Sequence, residues 1–179
     1  MKTKHKKYTS AVDAIGNTPI VKLQNIVPAN CANVYTKLES YNPTGSKKDR
    51  MALAMIEGAE KRGELHPGMT VVEYTGGSTG SALAFVCAVK GYKFHVVSSD
   101  AFGREKLDTM RALGANLEVI KSQDGKITPE LISRMIKRAA QIASEPDTFS
   151  TNQLSNPDII YGFEKMGNEI IEQIAGPID

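Results

Sequence analysis

The chain has 179 residues, of which 41% are hydrophobic and 23% charged, so a buried core is feasible and the composition argues against global disorder. This length suits one compact domain and is short for two. Lys+Arg total 22 against 20 Asp+Glu, a net charge of +2, which gives no reason to expect nucleic acid or an anionic membrane as partner.

The chain starts with Lys2, Lys4, Lys6 and Lys7 in a polar stretch that reads as a solvated tail. No signal-peptide core follows it. No apolar run approaches the roughly 18–20 residues needed to span a bilayer, so the expected location is the cytoplasm. Two short strands are predicted at 19–23 and 34–38. A helix over Lys48–Arg62 carries Met51, Met55 and Ala59 on one face and stops at Gly63. Strand 71–74 follows the turn His66-Pro67-Gly68. Helix 79–90 is apolar nearly all round and ends at Gly91, which predicts deep burial. Strand 94–98, helix 104–113 ending at Gly114, and strand 117–120 come next. Helix 128–144 opens on a Thr128 cap with Pro129 at its first position, and its charged residues read as a solvated face. A short strand at 148–150 and a last helix at 157–175 complete the order.

Strands alternating with helices at this spacing predict an α/β fold: a parallel twisted sheet with helices on both faces. Two cysteines, Cys31 and Cys87, do not make a disulfide framework, and Cys87 reads as a small core residue. Without CxxC or clustered His, no structural zinc site is expected. His5, His66 and His95 are scattered among tail, turn and strand and read as structural or solvated.

Two segments carry chemistry. Residues 42–50, Asn-Pro-Thr-Gly-Ser-Lys-Lys-Asp-Arg, form a turn-rich loop that opens a helix, with Ser46 as the candidate cap. Backbone N–H groups at a helix start suit an anion, and a lysine there feels the positive end of the dipole. A neutral lysine amine is a nucleophile toward a carbonyl. An ordinary capped turn with surface lysines has the same composition. Residues 75–80, Thr-Gly-Gly-Ser-Thr-Gly, lie between a strand and a buried helix, where parallel sheets bind ligands. Small and hydroxylic residues there let a carboxylate or phosphate approach the backbone. A tight turn without a ligand is the alternative.

Together these segments resemble the fold type II family of pyridoxal-phosphate enzymes, and within it cysteine synthase and cystathionine β-synthase. Residues 15–21, Ile-Gly-Asn-Thr-Pro-Ile-Val, resemble the family opening IGNTPLV. Residues 39–50 resemble its lysine segment ExxNPTGSxKDR, residues 75–80 its TSGNTG loop, and residues 153–157 its QFxNP segment. All four occur in the family's order. The resemblance implies that Lys48 forms the Schiff base with pyridoxal phosphate and then acts as base at the substrate Cα. It implies that Thr75, Gly76, Gly77, Ser78 and Thr79 grip the α-carboxylate of an amino acid, that Ser78 also meets the cofactor, and that Gln153 helps hold the carboxylate. The implied reaction is β-replacement, as in cysteine synthesis from O-acetylserine and sulfide or a thiol. A lyase or dehydratase of the same fold is the alternative.

Two departures bear on the substrate. Ser78 stands where the family pattern has asparagine, and Gly76 where it has serine, which removes one hydroxyl donor from the grip. A third concerns length. The family's GTGGT-type phosphate loop lies in a second half with no counterpart here. The expected division is therefore 1–42 as the start of a larger domain, 43–150 as a small α/β domain, and 151–179 as the larger domain resumed and incomplete. Exposed apolar faces, a homodimer or association with a missing C-terminal half are expected. A silent homologue that acts as a binding or partner module is the reading from a different class.

Overall fold

The computed structural model describes residues 8–174 and 176–178. The basic start with Lys2, Lys4, Lys6, Lys7 and His5 lies outside them, as does Ala175, the expected end of the last helix.

Near the N-terminus β1 (Ile20–Lys22) and β2 (Tyr35–Lys37) pair antiparallel as a separate ribbon. Then α1 (Lys48–Arg62), β3 (Thr70–Tyr74), α2 (Ser78–Lys90), β4 (Lys93–Ser99), α3 (Arg104–Ala112), β5 (Asn116–Ile120), α4 (Pro129–Ala143), β6 (Thr148–Ser150) and α5 (Ile159–Gln173) follow. The main sheet is fully parallel, in the order β5-β4-β3-β6. β3 is thus an inner strand, with Val72 opposite His95 on one side and Ser150 on the other.

Local chemistry sets the element ends. Gly63 and Gly91 close α1 and α2 in the left-handed conformation that lacks a Cβ penalty only for glycine. Thr128 caps α4, its hydroxyl accepting the Leu131 N–H at 3.2 Å, ahead of Pro129.

The sheet alternates its burial between two faces. Val71 and Val96 pack with Met51, Met55 and Ile56 of α1 and with Leu83 and Val86 of α2. Val72 and Val97 pack on the opposite face with Leu131, Met135, Ala139 and Ile142 of α4. The solvated reading of α4 therefore holds for only part of it. Four apolar residues at spacings of three and four bury a stripe on the sheet, and the charges occupy the remainder.

α5 lies against α1. The approach is close at Gly162, where a Cβ would come within 2.6 Å of the Arg50 carbonyl oxygen. The outer side of this region leaves Leu154, Ile160, Tyr161 and Ile171 exposed, in line with the apolar exposure expected of the chain's last segment. Among the described residues no helix is long and apolar enough to cross a membrane.

Candidate active site

The chain reverses after Gly63 to enter β3, and reverses again at 75–77 to leave it. α1 and α2 therefore run in the same sense and pack side by side. Their first turns, bearing Lys48 and Ser78, come to the end of the sheet where β3 finishes. β6 is parallel to β3, so the segment containing Gln153 leaves the sheet at that end too.

The loop before α1 is tied down on every side. Asn42 is buried, accepts the Gly16 N–H at 2.9 Å and donates to the Glu39 carbonyl at 2.9 Å. The buried Asp49 carboxylate accepts the Thr44 N–H at 2.7 Å and also the Thr44 hydroxyl. Burial pushes the Asp49 carboxyl up, and the Thr44 hydrogen bonds oppose that. Lys47, not Ser46, stands at the cap position; the Ser46 hydroxyl accepts the Lys48 N–H at 3.2 Å. Lys48 itself is half-buried, and its amine lies 3.8 Å from Met51 Sδ. It meets no carboxylate among the described residues. Lys47 is exposed, its amine 5.9 Å from the Phe163 ring centroid.

The 75–79 loop leaves several donors without an acceptor among the described residues. The Thr75 N–H continues the ladder to the Val97 carbonyl at 3.0 Å, and the Gly77 N–H turns back to the Thr75 hydroxyl at 3.3 Å. The Gly77 carbonyl accepts the Gly80 N–H at 2.8 Å, which starts α2. The backbone N–H groups of Gly76, Ser78 and Thr79 find no acceptor among the described residues, and no side chain caps the helix. The hydroxyls of Ser78 and Thr79 are also unpaired among them. Unsatisfied donors at a helix start are a receptor for a carboxylate or phosphate.

Gln153 reaches this loop from behind. Its side-chain amide donates to the Tyr74 carbonyl at 2.9 Å. The link is reinforced by Glu73, a residue the sequence reading passed over. Its buried carboxylate accepts the Thr151 hydroxyl at 2.6 Å, the Gln153 N–H at 3.0 Å and the Tyr74 N–H at 2.9 Å. Burial pushes the Glu73 carboxyl up, against the pull of those hydrogen bonds. A charged residue inside the apolar strand Val71-Val72-Glu73-Tyr74 was the available signal.

A cavity of about 780 Å³ lies elsewhere. It is a groove between α1 and α5 lined by Arg50, Gly58, Asp158 and Glu169, and it includes neither Lys48 nor the 75–79 loop nor Gln153.

Comparison with known proteins identifies the family. The model of the family "Pyridoxal-phosphate dependent enzyme" matches residues 11–179. The chain belongs to this family. It is 43% identical over 163 residues to a cysteine synthase of Staphylococcus aureus, covering 90% of this chain and 51% of the relative. It is 41% identical over 165 residues to cysteine synthase B of Escherichia coli, covering 92% and 52%. An O-ureido-L-serine synthase of Streptomyces lavendulae is 39% identical over 170 residues, covering 94% and 50%. Among solved structures, a crystal structure of O-ureido-L-serine synthase superposes with a TM-score of 0.84 at 38% identity, over 97% of this chain and 53% of that one. The chain thus spans about half the length of these relatives. Pyridoxal phosphate is the family's cofactor, and the amine of Lys48, with no acidic partner among the described residues, suits a carbonyl group of that kind.

Proposed function

We propose that this chain carries the lysine and carboxylate-binding part of a cytoplasmic, cysteine synthase-like enzyme that performs β-replacement on a small amino acid. The observation that carries the reading is the set of N–H groups at Gly76, Ser78 and Thr79 that are unpaired among the described residues, at the same end of the sheet as Lys48.

In this reading those N–H groups and the hydroxyls of Thr75, Ser78 and Thr79 bind the substrate α-carboxylate. Gln153, held on the Tyr74 carbonyl through one N–H of its amide, offers the second N–H of that amide to the carboxylate and fixes the loop's shape. Ser78 also faces the cofactor. Pyridoxal phosphate, when bound, supplies the electron sink for negative charge at Cα. The Lys48 amine takes the proton from Cα, and departure of a β-substituent and entry of a nucleophile complete the replacement. Residues 43–150 form the small domain, and 1–42 with 151–179 belong to a larger one. The exposed Leu154, Ile160, Tyr161 and Ile171 are where the rest of that domain, or a second copy of the chain, packs.

Gly76 and Ser78 favour a substrate other than that of the TSGNTG enzymes, and the similarity to O-ureido-L-serine synthase supports an O-substituted serine. The test adds pyridoxal phosphate to the purified chain and follows the visible absorption while O-acetyl-L-serine or L-serine is titrated. The expected result is a chromophore that the amino acid shifts and that Lys48→Ala abolishes. A chromophore indifferent to both would contradict the reading.

A further inference from the structure

Phe102 lies on the backbone of the carboxylate loop. A Cβ built on Gly76 would come within 2.2 Å of Phe102 Cε1, 2.3 Å of Cδ1 and 2.6 Å of Cζ. No side chain fits at position 76 while the ring stays where it is.

The ring is half-buried. It packs on the Val72 and Val97 side of the sheet. Its own turn is pinned: the Phe102 N–H donates to the Ser99 carbonyl at 3.2 Å, and the Ala101 N–H to the Ser99 hydroxyl at 3.2 Å. Asp100 accepts the Ser122 N–H at 2.8 Å and so ties this turn to the end of β5.

We infer that Phe102 is a positioning residue that sets the substrate grip. Resting on Gly76, it excludes the hydroxyl that the TSGNTG pattern carries there. Carboxylate recognition is left to the backbone N–H groups and to Thr75, Ser78 and Thr79. The glycine and the phenylalanine are one device: neither can be changed to the hydroxyl-bearing arrangement without the other. The inference rests on the reading of this loop as the carboxylate site.

The test compares the parent chain with Gly76→Ser, Phe102→Ala and the double variant. Melting temperature reports the clash, and an NMR titration of the 76–79 amides with O-acetyl-L-serine reports the grip. Gly76→Ser alone should lower the melting temperature by several degrees, and in the Phe102→Ala background the same change should cost nothing. The double variant should bind O-acetyl-L-serine about tenfold more tightly than Phe102→Ala, the gain of one hydrogen bond to a charged group. A Gly76→Ser chain as stable as the parent overturns the contact. Rescue of stability with no gain in affinity reduces the pair to packing and overturns the positioning role. Amides that respond in no variant remove the carboxylate reading and this role with it, while the melting data alone still report on the contact.

Discussion

Arg50 and Glu169, 119 residues apart, form a doubly hydrogen-bonded pair: Nη1 to Oε1 and Nη2 to Oε2, both at 2.7 Å. The same guanidinium holds Glu39 through Nε at 2.8 Å and Nη2 at 2.9 Å. Lys37 adds its amine to Glu169 at 2.7 Å. Arg50 lies two residues beyond Lys48, so this network joins the lysine's helix to α5 and to the N-terminal ribbon. Bidentate geometry suits a nearly buried guanidinium, since every donor must find an acceptor once water is excluded.

Arg50→Ala should leave Glu39 without its cation and Glu169 with Lys37 alone, and lower stability by about 3 kcal/mol, the lower end of the usual effect of breaking a buried pair from one side. Urea unfolding followed by circular dichroism checks this. A midpoint within error of the parent's would show that the network contributes little.

The same network sets acid sensitivity. Burial raises the Glu169 carboxyl, but hydrogen bonds from Arg50 and Lys37 outweigh it and hold the group at about 2, against an ordinary 4.5. A carboxyl depressed on folding contributes stability above its unfolded value, and that contribution is lost as pH falls through the folded one. Stability should therefore decline between about pH 4.5 and 2, and Glu169→Gln should flatten that part of the curve. An equally steep loss in the variant would move the acid response to other groups.

Glu73→Ala removes the acceptor shared by the Thr151 hydroxyl and the Gln153 N–H. The cost expected for stranding buried donors is about 1–3 kcal/mol. The Gln153 amide should then exchange with solvent much faster, as hydrogen exchange would register. Unchanged protection at Gln153 would show that the Tyr74 contact alone holds the segment.

The cysteines report on folding. Burial pushes the Cys87 thiol up to about 12, while Cys31 is exposed. A thiol reagent at pH 8 should label Cys31 at once and Cys87 only after denaturant is added. Prompt double labelling would contradict the packing of α2.

Much of this fold was legible because glycine and proline punctuate it. Lys48–Arg62 coincides with the expected helix, and the remaining helices shift by a residue or two at their ends. The 3-10 turns at Ala11–Ala14 and Glu39–Tyr41 were not foreseen, since three or four residues carry no periodicity. Nor was the position of β6 beside β3, because strand order depends on contacts distant in sequence. At the site, both loops stood out by composition at a helix start, while Lys48 was singled out by resemblance. Gln153 entered only through resemblance. Glu73 and Phe102 were missed because their roles are pairings with Thr151, Gln153 and Gly76, which no local pattern encodes.

The most direct test is to reduce the chain with borohydride in the presence of pyridoxal phosphate and map the modified peptide. Lys47 and Lys48 are adjacent, yet one is exposed beside Phe163 and the other half-buried at the start of α1. The expected result is label on Lys48, absent from Lys48→Ala. Label spread over Lys47 and other surface lysines, with Lys48 unmodified, would contradict the assignment of Lys48 as the cofactor's anchor.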